Sequence, residues 1–341
     1  MRKTLLSIAT GLAIGFTSTM AMADTTKMTL SSWLPGGHPI VSDMIQPWID
    51  NVKEATEGRV EIKILAKGLG HPKVHYDLAR DGTADVTYGV HGYTPGRFSV
   101  TKIVEFPFMG NSAEALSVAY WKVHQSHLAK AKEHKDVKLL GVFSHGPGAL
   151  HNSKHDIKSV ADLDGLKIRV GGGVVSEVAK AMDMTPLLKP ASKNYELLSH
   201  GVADGTLLPM DSLVSFKITD LVKHTTQVPG GLYNTSFFLA MNKERFDALS
   251  KEDQAAIERV SGEAFAKLAG KAWDAVDQKG TDAIKANGNS LITADDAFVA
   301  DIKARTAHLE EEWVKAAAKK GVDGKAALDE LRKLVTDYKS E

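Results

Sequence analysis

The sequence predicts an open α/β protein in two domains, and three observations carry that prediction. Short apolar runs alternating with period two follow one another along the chain, with segments of helical apolar spacing between them, as in sheets flanked by helices. Without its first 23 residues the chain is ~318 residues long, enough for two domains with ample burial. No stretch reads as a flexible linker, so the domains are expected to be joined by crossing strands rather than by tethers.

Residues 1–23 are set apart from that fold. Arg2 and Lys3 form a basic start, Leu5 to Phe16 an apolar core, and Ala21-Met22-Ala23 a small-residue cleavage pattern, together a signal peptide cut after Ala23. The apolar run is too short and interrupted to span a bilayer, and no later segment approaches the ~20 apolar residues required. The expectation is export without stable membrane insertion. No cysteine is present, so disulfides and a lipid-bearing cysteine are excluded and stability must come from a core. The 42 basic and 42 acidic residues of the full chain include Arg2 and Lys3 but no acid before Asp24, so the mature chain is near neutral. No basic patch interleaved with aromatics is visible, which argues against nucleic acid or an anionic membrane as a partner.

In order, Lys27 to Trp33 reads as a first strand, Leu34 to Pro39 as a turn, and Ile40 to Thr56 as a helix. Val60 to Leu65 alternates as a second strand, His75 to Arg80 suits a short helix, and Ala84 to Val90 is a third strand ending in the loop His91 to Arg97. Asn111 with Glu114 resembles a capping box for a helix running to about His134. Val137 to Phe143 is the next strand. A second region repeats the alternation, with a cap at Ser159, a strand ending in Arg169-Val170, a helix to Met182, a strand near Pro186 to Lys189, and a helix through Tyr195 to His200. Ser236 to Asn242 is an apolar strand that can return to the first sheet. Ser250-Lys-Glu-Asp253 is an N-cap pattern opening a long helix towards Gln278, a brace between the domains. A short strand, Ser290 to Ile292, and two helices, Asp295 to Lys319 and Lys325 to Tyr338, end the chain.

The stretch with most chemistry is Asp164-Gly-Leu-Lys-Ile-Arg-Val-Gly-Gly-Gly173. Leu166, Ile168 and Val170 share one face of a strand, so Lys167 and Arg169 take the other. Three glycines then turn the backbone into a helix whose N-terminus favours negative charge, so guanidinium, backbone donors and helix dipole are expected to converge on an anion. The alternative is a surface arginine in an ordinary turn. Other chemistries find little support. Gly171-Gly-Gly173 has no Gly-Lys-Ser/Thr after it and no third glycine of a dinucleotide fingerprint. A Gly-x-Ser-x-Gly elbow, a cysteine nucleophile and a carboxylate dyad are all missing, so no catalytic residue is assigned. His71 with His75 and His124 with His127 have the spacing of helical metal ligands but no His-Glu-x-x-His pattern, and His124, His127 and His134 fall in a Lys-rich helix that reads as solvated. No metal or cofactor is expected.

With these residues placed, the chain resembles the solute-binding proteins of tripartite ATP-independent periplasmic (TRAP) transporters, the C4-dicarboxylate-binding type. The resemblance rests on His151-Asn-Ser-Lys154, Ser159-Val-Ala-Asp-Leu-Asp-Gly-Leu-Lys-Ile-Arg-Val170, Tyr195 to Gly205 and Phe238-Leu-Ala-Met-Asn242, in order over the mature chain. It implies a two-lobed α/β fold of the periplasmic binding protein kind, each lobe a mixed sheet flanked by helices with a long helix bridging them. Lobe I is then 24–147 with 236–275 returning to it, and lobe II is 148–235 with 276–341 packing on it and across the lobes. It implies capture of an organic acid by lobe closure and delivery to the TRAP membrane permease, with the ligand carboxylate on Arg169.

Two departures narrow the ligand. Many relatives carry another arginine before the Asn-Ser strand, where this chain has Gly146-Pro-Gly148, and a polar Gln-Glu-Asn-Pro is here Thr206-Leu-Leu-Pro209. Both favour a monocarboxylate with an apolar or aromatic body, since a second buried carboxylate without a partner is costly. A C4-dicarboxylate or 2-oxo acid, another uptake or sensing system, and, further off, a metal-binding protein or periplasmic enzyme remain alternatives. Beside Arg169, candidates for ligand contact are Trp33, His71, His91, Tyr93 and Met210, in or beside loops at strand ends, and Phe237, which with Tyr233 can wall a cleft. Arg97 is expected to be a structural ion-pair partner, with a second anion contact as the alternative.

Overall fold

The computed structural model describes residues 25–340; the expected signal peptide lies outside the described residues. Its periodic segments form two mixed sheets. In chain order come β1 (Thr26–Ser31), α1 (Gln46–Ala55), β2 (Val60–Ile64), α2 (His75–Arg80), β3 (Val86–Val90), α3 (Ala113–Ser126) and β4 (Val137–Ser144). The chain crosses to β5 (Ala149–Asn152), β6 (Lys167–Val170), α4 (Val174–Ala181), β7 (Thr185–Leu188), α5 (Asn194–Ser199), β8 (Gly205–Leu208), α6 (Ser212–Ser215) and β9 (His224–Gln227). It returns at β10 (Ser236–Asn242) and ends with α7 (Lys243–Asp247), α8 (Lys251–Arg259), α9 (Glu263–Ala286), β11 (Ser290–Thr293), α10 (Asp296–Ala318) and α11 (Gly324–Asp337).

The first sheet has the order β2-β1-β3-β10-β4, with β1 parallel to β2 and β3, and β10 antiparallel to β3 and β4. β10 is buried at every position because it lies mid-sheet with both faces covered, which explains its continuous apolar run. The second sheet has the order β11-β9-β5-β8-β6-β7. There β6 runs parallel to β7 and β8, which puts its C-terminal end, with Arg169, at the edge facing the first sheet's loops.

Two connections join the sheets, residues 145–148 outward and 228–235 back, and they hold each other. Gly148 N–H donates to the Tyr233 carbonyl (2.9 Å), Leu232 N–H to that of Gly148 (3.0 Å), and Asn234 Nδ2 to those of His145 and Gly146 (2.9 and 2.8 Å). The third link is α9. Its first half packs Phe265 and Trp273 on Phe143 of the first sheet, while its end sets Ile284 into the core of the second beside Leu213, Ile218 and Val222. α10 and α11 reach across as well: Trp313 packs on Phe106 and donates to the Ser99 carbonyl, and α11 lies along α3.

Several local expectations are corrected. The helix after Asn111 is capped by Ser112, whose Oγ accepts from Ala115 N–H, and by the Asp274 carboxylate, which takes Ala113 and Glu114 N–H; the Asn111 amide oxygen instead accepts from Gly230 N–H. That helix ends at Ser126 rather than near His134, because Leu128 turns into the core and Lys132 adopts a left-handed φ of 54°. His124 and His134 are buried, not solvated: His134 stacks on Phe98 and His124 on Trp121. The expected brace starts at Ser250, whose Oγ accepts from Asp253 N–H, but breaks into α8 and α9. Gly262 at the break has φ 58° and donates to the Leu140 carbonyl of β4.

Candidate functional site

A cavity opens where the C-terminal ends of β1 and β3 face the end of β6 and the segment after β8. Trp33 and Tyr93 wall it from the first sheet's loops, Phe237 and Trp273 from β10 and α9, and Leu207-Leu208-Pro209 from the second sheet. About 50 Å³ inside it is open to the centre of a water molecule. The wall is aromatic and apolar almost throughout. Phe237 stacks on Phe143 at 5.0 Å and meets Trp273 at 5.1 Å, and Trp33 sits edge-on to Tyr93 at 5.8 Å.

Arg169 is the one lysine or arginine on this wall, and it is 2% exposed. Strand alternation turns it away from Ile168 and Val170, which enter the core behind the sheet. Its Nε donates to the Lys189 carbonyl at 2.8 Å, which fixes the plane of the guanidinium. Neither terminal nitrogen has a hydrogen bond or ion pair among the described residues. Two parallel donors at the edge of a planar cation match a carboxylate. Tyr93 joins the two sides, since its hydroxyl accepts from Ala191 N–H at 2.9 Å.

Four of the seven sequence candidates, Arg169, Tyr93, Trp33 and Phe237, are thus brought to one cavity, and three are not. His71 is exposed at the start of a 3-10 turn, where Nδ1 accepts from Lys73 N–H. Met210 points into the core between α6 and α9, with Leu213 and Ile284. His91 lies behind the cavity wall, its Nε2 2.9 Å from His134 Nε2 and its Nδ1 3.1 Å from Ser236 Oγ. Tyr233, named with Phe237 as a possible wall of a cleft, also lines the cavity, which adds His38, His145 and Trp273. His145 directly follows β4, and the crossing of the chain at 145–148 brings its imidazole to the cleft. Arg97 pairs with Asp77 at 2.8 Å and lies over the Tyr76 ring, away from this wall.

The family model for bacterial extracellular solute-binding proteins, family 7, matches residues 30–318. The chain belongs to that family. A TRAP periplasmic solute-binding protein from Bordetella bronchiseptica with bound (R)- and (S)-mandelate is 44% identical, superposes with a TM-score of 0.90, and is matched over 91% of this chain and 99% of its own. A marine-metagenome TRAP solute-binding protein specific for aromatic acid ligands, in complex with 3-hydroxybenzoate, is 34% identical with a TM-score of 0.87, over 93% and 100% of the two chains. The outer membrane transporter protein TsaT of Comamonas testosteroni is 30% identical over 92% of each chain. The family and these structural neighbours are binding proteins.

In this solute-binding protein the helix N-terminus after Arg169 is not free for an anion, which corrects the expected convergence. The Glu105 carboxylate, 2% exposed, takes Val174 N–H at 2.9 Å and also accepts from Ser236 N–H and Oγ. A Cβ on Gly173 would lie 2.2 Å from Glu105 Oε2, and one on Gly172 would lie 2.4 Å from the Gly92 carbonyl oxygen, so the glycines serve close approach of the two sheets' loops. Burial raises the Glu105 pKa, partly offset by the Ser236 and Val174 hydrogen bonds. The absence of a second arginine is also built in. A Cβ on Gly148 would lie 2.2 Å from the Tyr233 ring, which fills that space.

Two imidazoles on the wall carry opposite tautomers. Ile40 N–H donates to His38 Nδ1 at 3.2 Å, so Nε2 bears the proton. His145 Nδ1 is 2.5 Å from the Gly146 carbonyl oxygen, which can only accept, so there Nδ1 bears the proton and Nε2 the lone pair. Burial lowers both pKa values to about 4, so both rings are neutral near pH 7. Trp33 Nε1, His38 Nε2 and His145 Nε2 are buried without a hydrogen-bond partner.

Proposed function

We propose that this TRAP solute-binding protein captures a monocarboxylate with an aromatic or similarly apolar body and hands it to the membrane permease unchanged. The observation that carries the reading is Arg169: a buried cation with one nitrogen held by the protein and two left to a ligand, in a cavity otherwise walled by aromatic and aliphatic side chains. A carboxylate there gains two charge-assisted hydrogen bonds, and a flat apolar body fills the space between Trp33, Tyr93, Phe237 and Trp273. A second carboxylate would find no further lysine or arginine on the wall. The aromatic acids held by the two structural neighbours support the same class.

Wall residues come from both sheets, so only closure completes the contacts, and ligand binding stabilises the closed arrangement. Residues 1–23 are removed on export to the periplasm, which intact-mass measurement of the exported protein reads directly. The deciding experiment is titration calorimetry of the mature protein, stripped of co-purified ligand, with benzoate, mandelate, succinate and a 2-oxo acid. An aromatic monocarboxylate is expected to bind, and Arg169→Ala to weaken it by roughly 2 to 5 kcal/mol, the cost of breaking a buried charge-assisted pair. Binding of succinate alone, or an Arg169→Ala variant with wild-type affinity, would sink the reading.

A further inference from the structure

His145 is a polar side chain the reading above does not use. Its ring is boxed by Tyr233 at 5.3 Å, Trp273 at 5.8 Å and Phe237 at 6.3 Å, and the Gly146 carbonyl fixes its orientation through Nδ1. What remains is Nε2, a lone-pair acceptor on a residue of the cavity wall, buried and without a donor from the protein. Buried polar atoms in native proteins nearly always have partners, so an unpaired acceptor beside a ligand cavity calls for a donor on the ligand. A carboxylate has none to offer, and neither does a hydrocarbon ring.

We infer that His145 Nε2 accepts a hydrogen bond from a hydroxyl group on the bound acid, so that the protein selects hydroxylated aromatic monocarboxylates over their non-hydroxylated counterparts. The inference rests on the monocarboxylate reading and deepens it: Arg169 selects the acid and His145 the hydroxyl. The low pKa of the buried ring keeps it neutral near pH 7 and so preserves the acceptor. His38 Nε2–H and Trp33 Nε1–H, donors without partners on the same wall, complement oxygen atoms of such a ligand.

Calorimetry with paired acids tests it: mandelate against phenylacetate, and 3-hydroxybenzoate against benzoate. In the wild type, one hydroxylated acid should bind at least about tenfold more tightly than its counterpart, or about 1.4 kcal/mol. His145→Asn keeps an amide nitrogen near the Gly146 carbonyl and removes the Nε2 acceptor; there the preference should fall to within about twofold, because the hydroxylated acid loses more affinity than its counterpart. A readout that needs no variant is the 15N resonance of His145 Nε2, which should move on adding the hydroxylated acid and far less with its counterpart. No preference in the wild type, or one that survives in His145→Asn with an unmoved resonance, overturns the inference. If benzoate and phenylacetate bind through Arg169 without any preference, the hydroxyl assignment fails and the monocarboxylate reading stands; if none of the four binds, both fail.

Discussion

A guanidinium offers five N–H donors in one plane, and in Arg169 the protein takes up the Nε donor through the Lys189 carbonyl. The remaining edge has its direction set before any ligand arrives, so little rotamer entropy is lost on binding. Tyr93 plays a different part on the same wall. Its hydroxyl accepts the Ala191 N–H from the turn after β7, so it couples the cavity's aromatic surface to the contact between lobes. Tyr93→Phe keeps the ring and leaves that buried N–H unpaired, which costs about 1 to 3 kcal/mol. We expect ligand affinity to drop roughly tenfold or more, read from quenching of Trp33 and Trp273 fluorescence; an unchanged affinity would mean that the Tyr93 hydroxyl does not bridge the lobes in the bound state.

At the scale of elements, the turn from β6 into α4 shows how one motif serves two purposes. The strand delivers Arg169 to the cavity, while the glycines and helix N-terminus that follow receive Glu105 from the segment before α3. A chain of buried groups stands behind that carboxylate, from His134 through His91 to Ser236 and Glu105. Gly173 has φ 75° and no room for a Cβ beside Glu105. Gly173→Ala should therefore lower stability by more than about 1 kcal/mol, through both left-handed strain and the clash. Urea unfolding measures this, and a stability equal to wild type would show that Glu105 can withdraw at no cost.

For the whole molecule, buried histidines set the response to acid. His38, His124, His145 and His151 are lowered to about 4 and His91 to about 3, all chiefly by burial. Each binds a proton near pH 6.5 when unfolded but only near pH 4 or below when folded, so protons favour the unfolded chain and stability falls as pH drops from 6.5 towards 4. Shifts of this size are worth up to about 3 to 5 kcal/mol per ring. Burial raises Asp211 to about 6 and also raises Asp277 and Glu105, which acts in the opposite sense, because those carboxyls take up protons more readily when folded. The histidines outnumber them. The urea midpoint should thus be lower at pH 5 than at pH 7; a midpoint that rises on acidification would mean the buried carboxyls dominate.

Alternation and helical spacing are local properties, so the order of residues alone set the α/β class, most of the elements and the strand that carries Arg169. The apolar run Ser236 to Asn242 was legible as a strand able to return to the first sheet, where it pairs with β3 and β4. Four motifs in order, the Arg169 strand among them, likewise carried the resemblance to the family, and the family pattern exposed the departures at Gly148 and Thr206 to Pro209. What occupies the α4 N-terminus was decided only by folding, because Glu105 is 69 residues from Val174 in sequence and nothing local marks the pairing. Nor could local pattern separate His91 and Met210, in the core, from His145, on the wall, or foresee the break at Gly262. Which way a loop side chain faces depends on how the two sheets meet, and that is a property of long-range packing rather than of spacing along the chain.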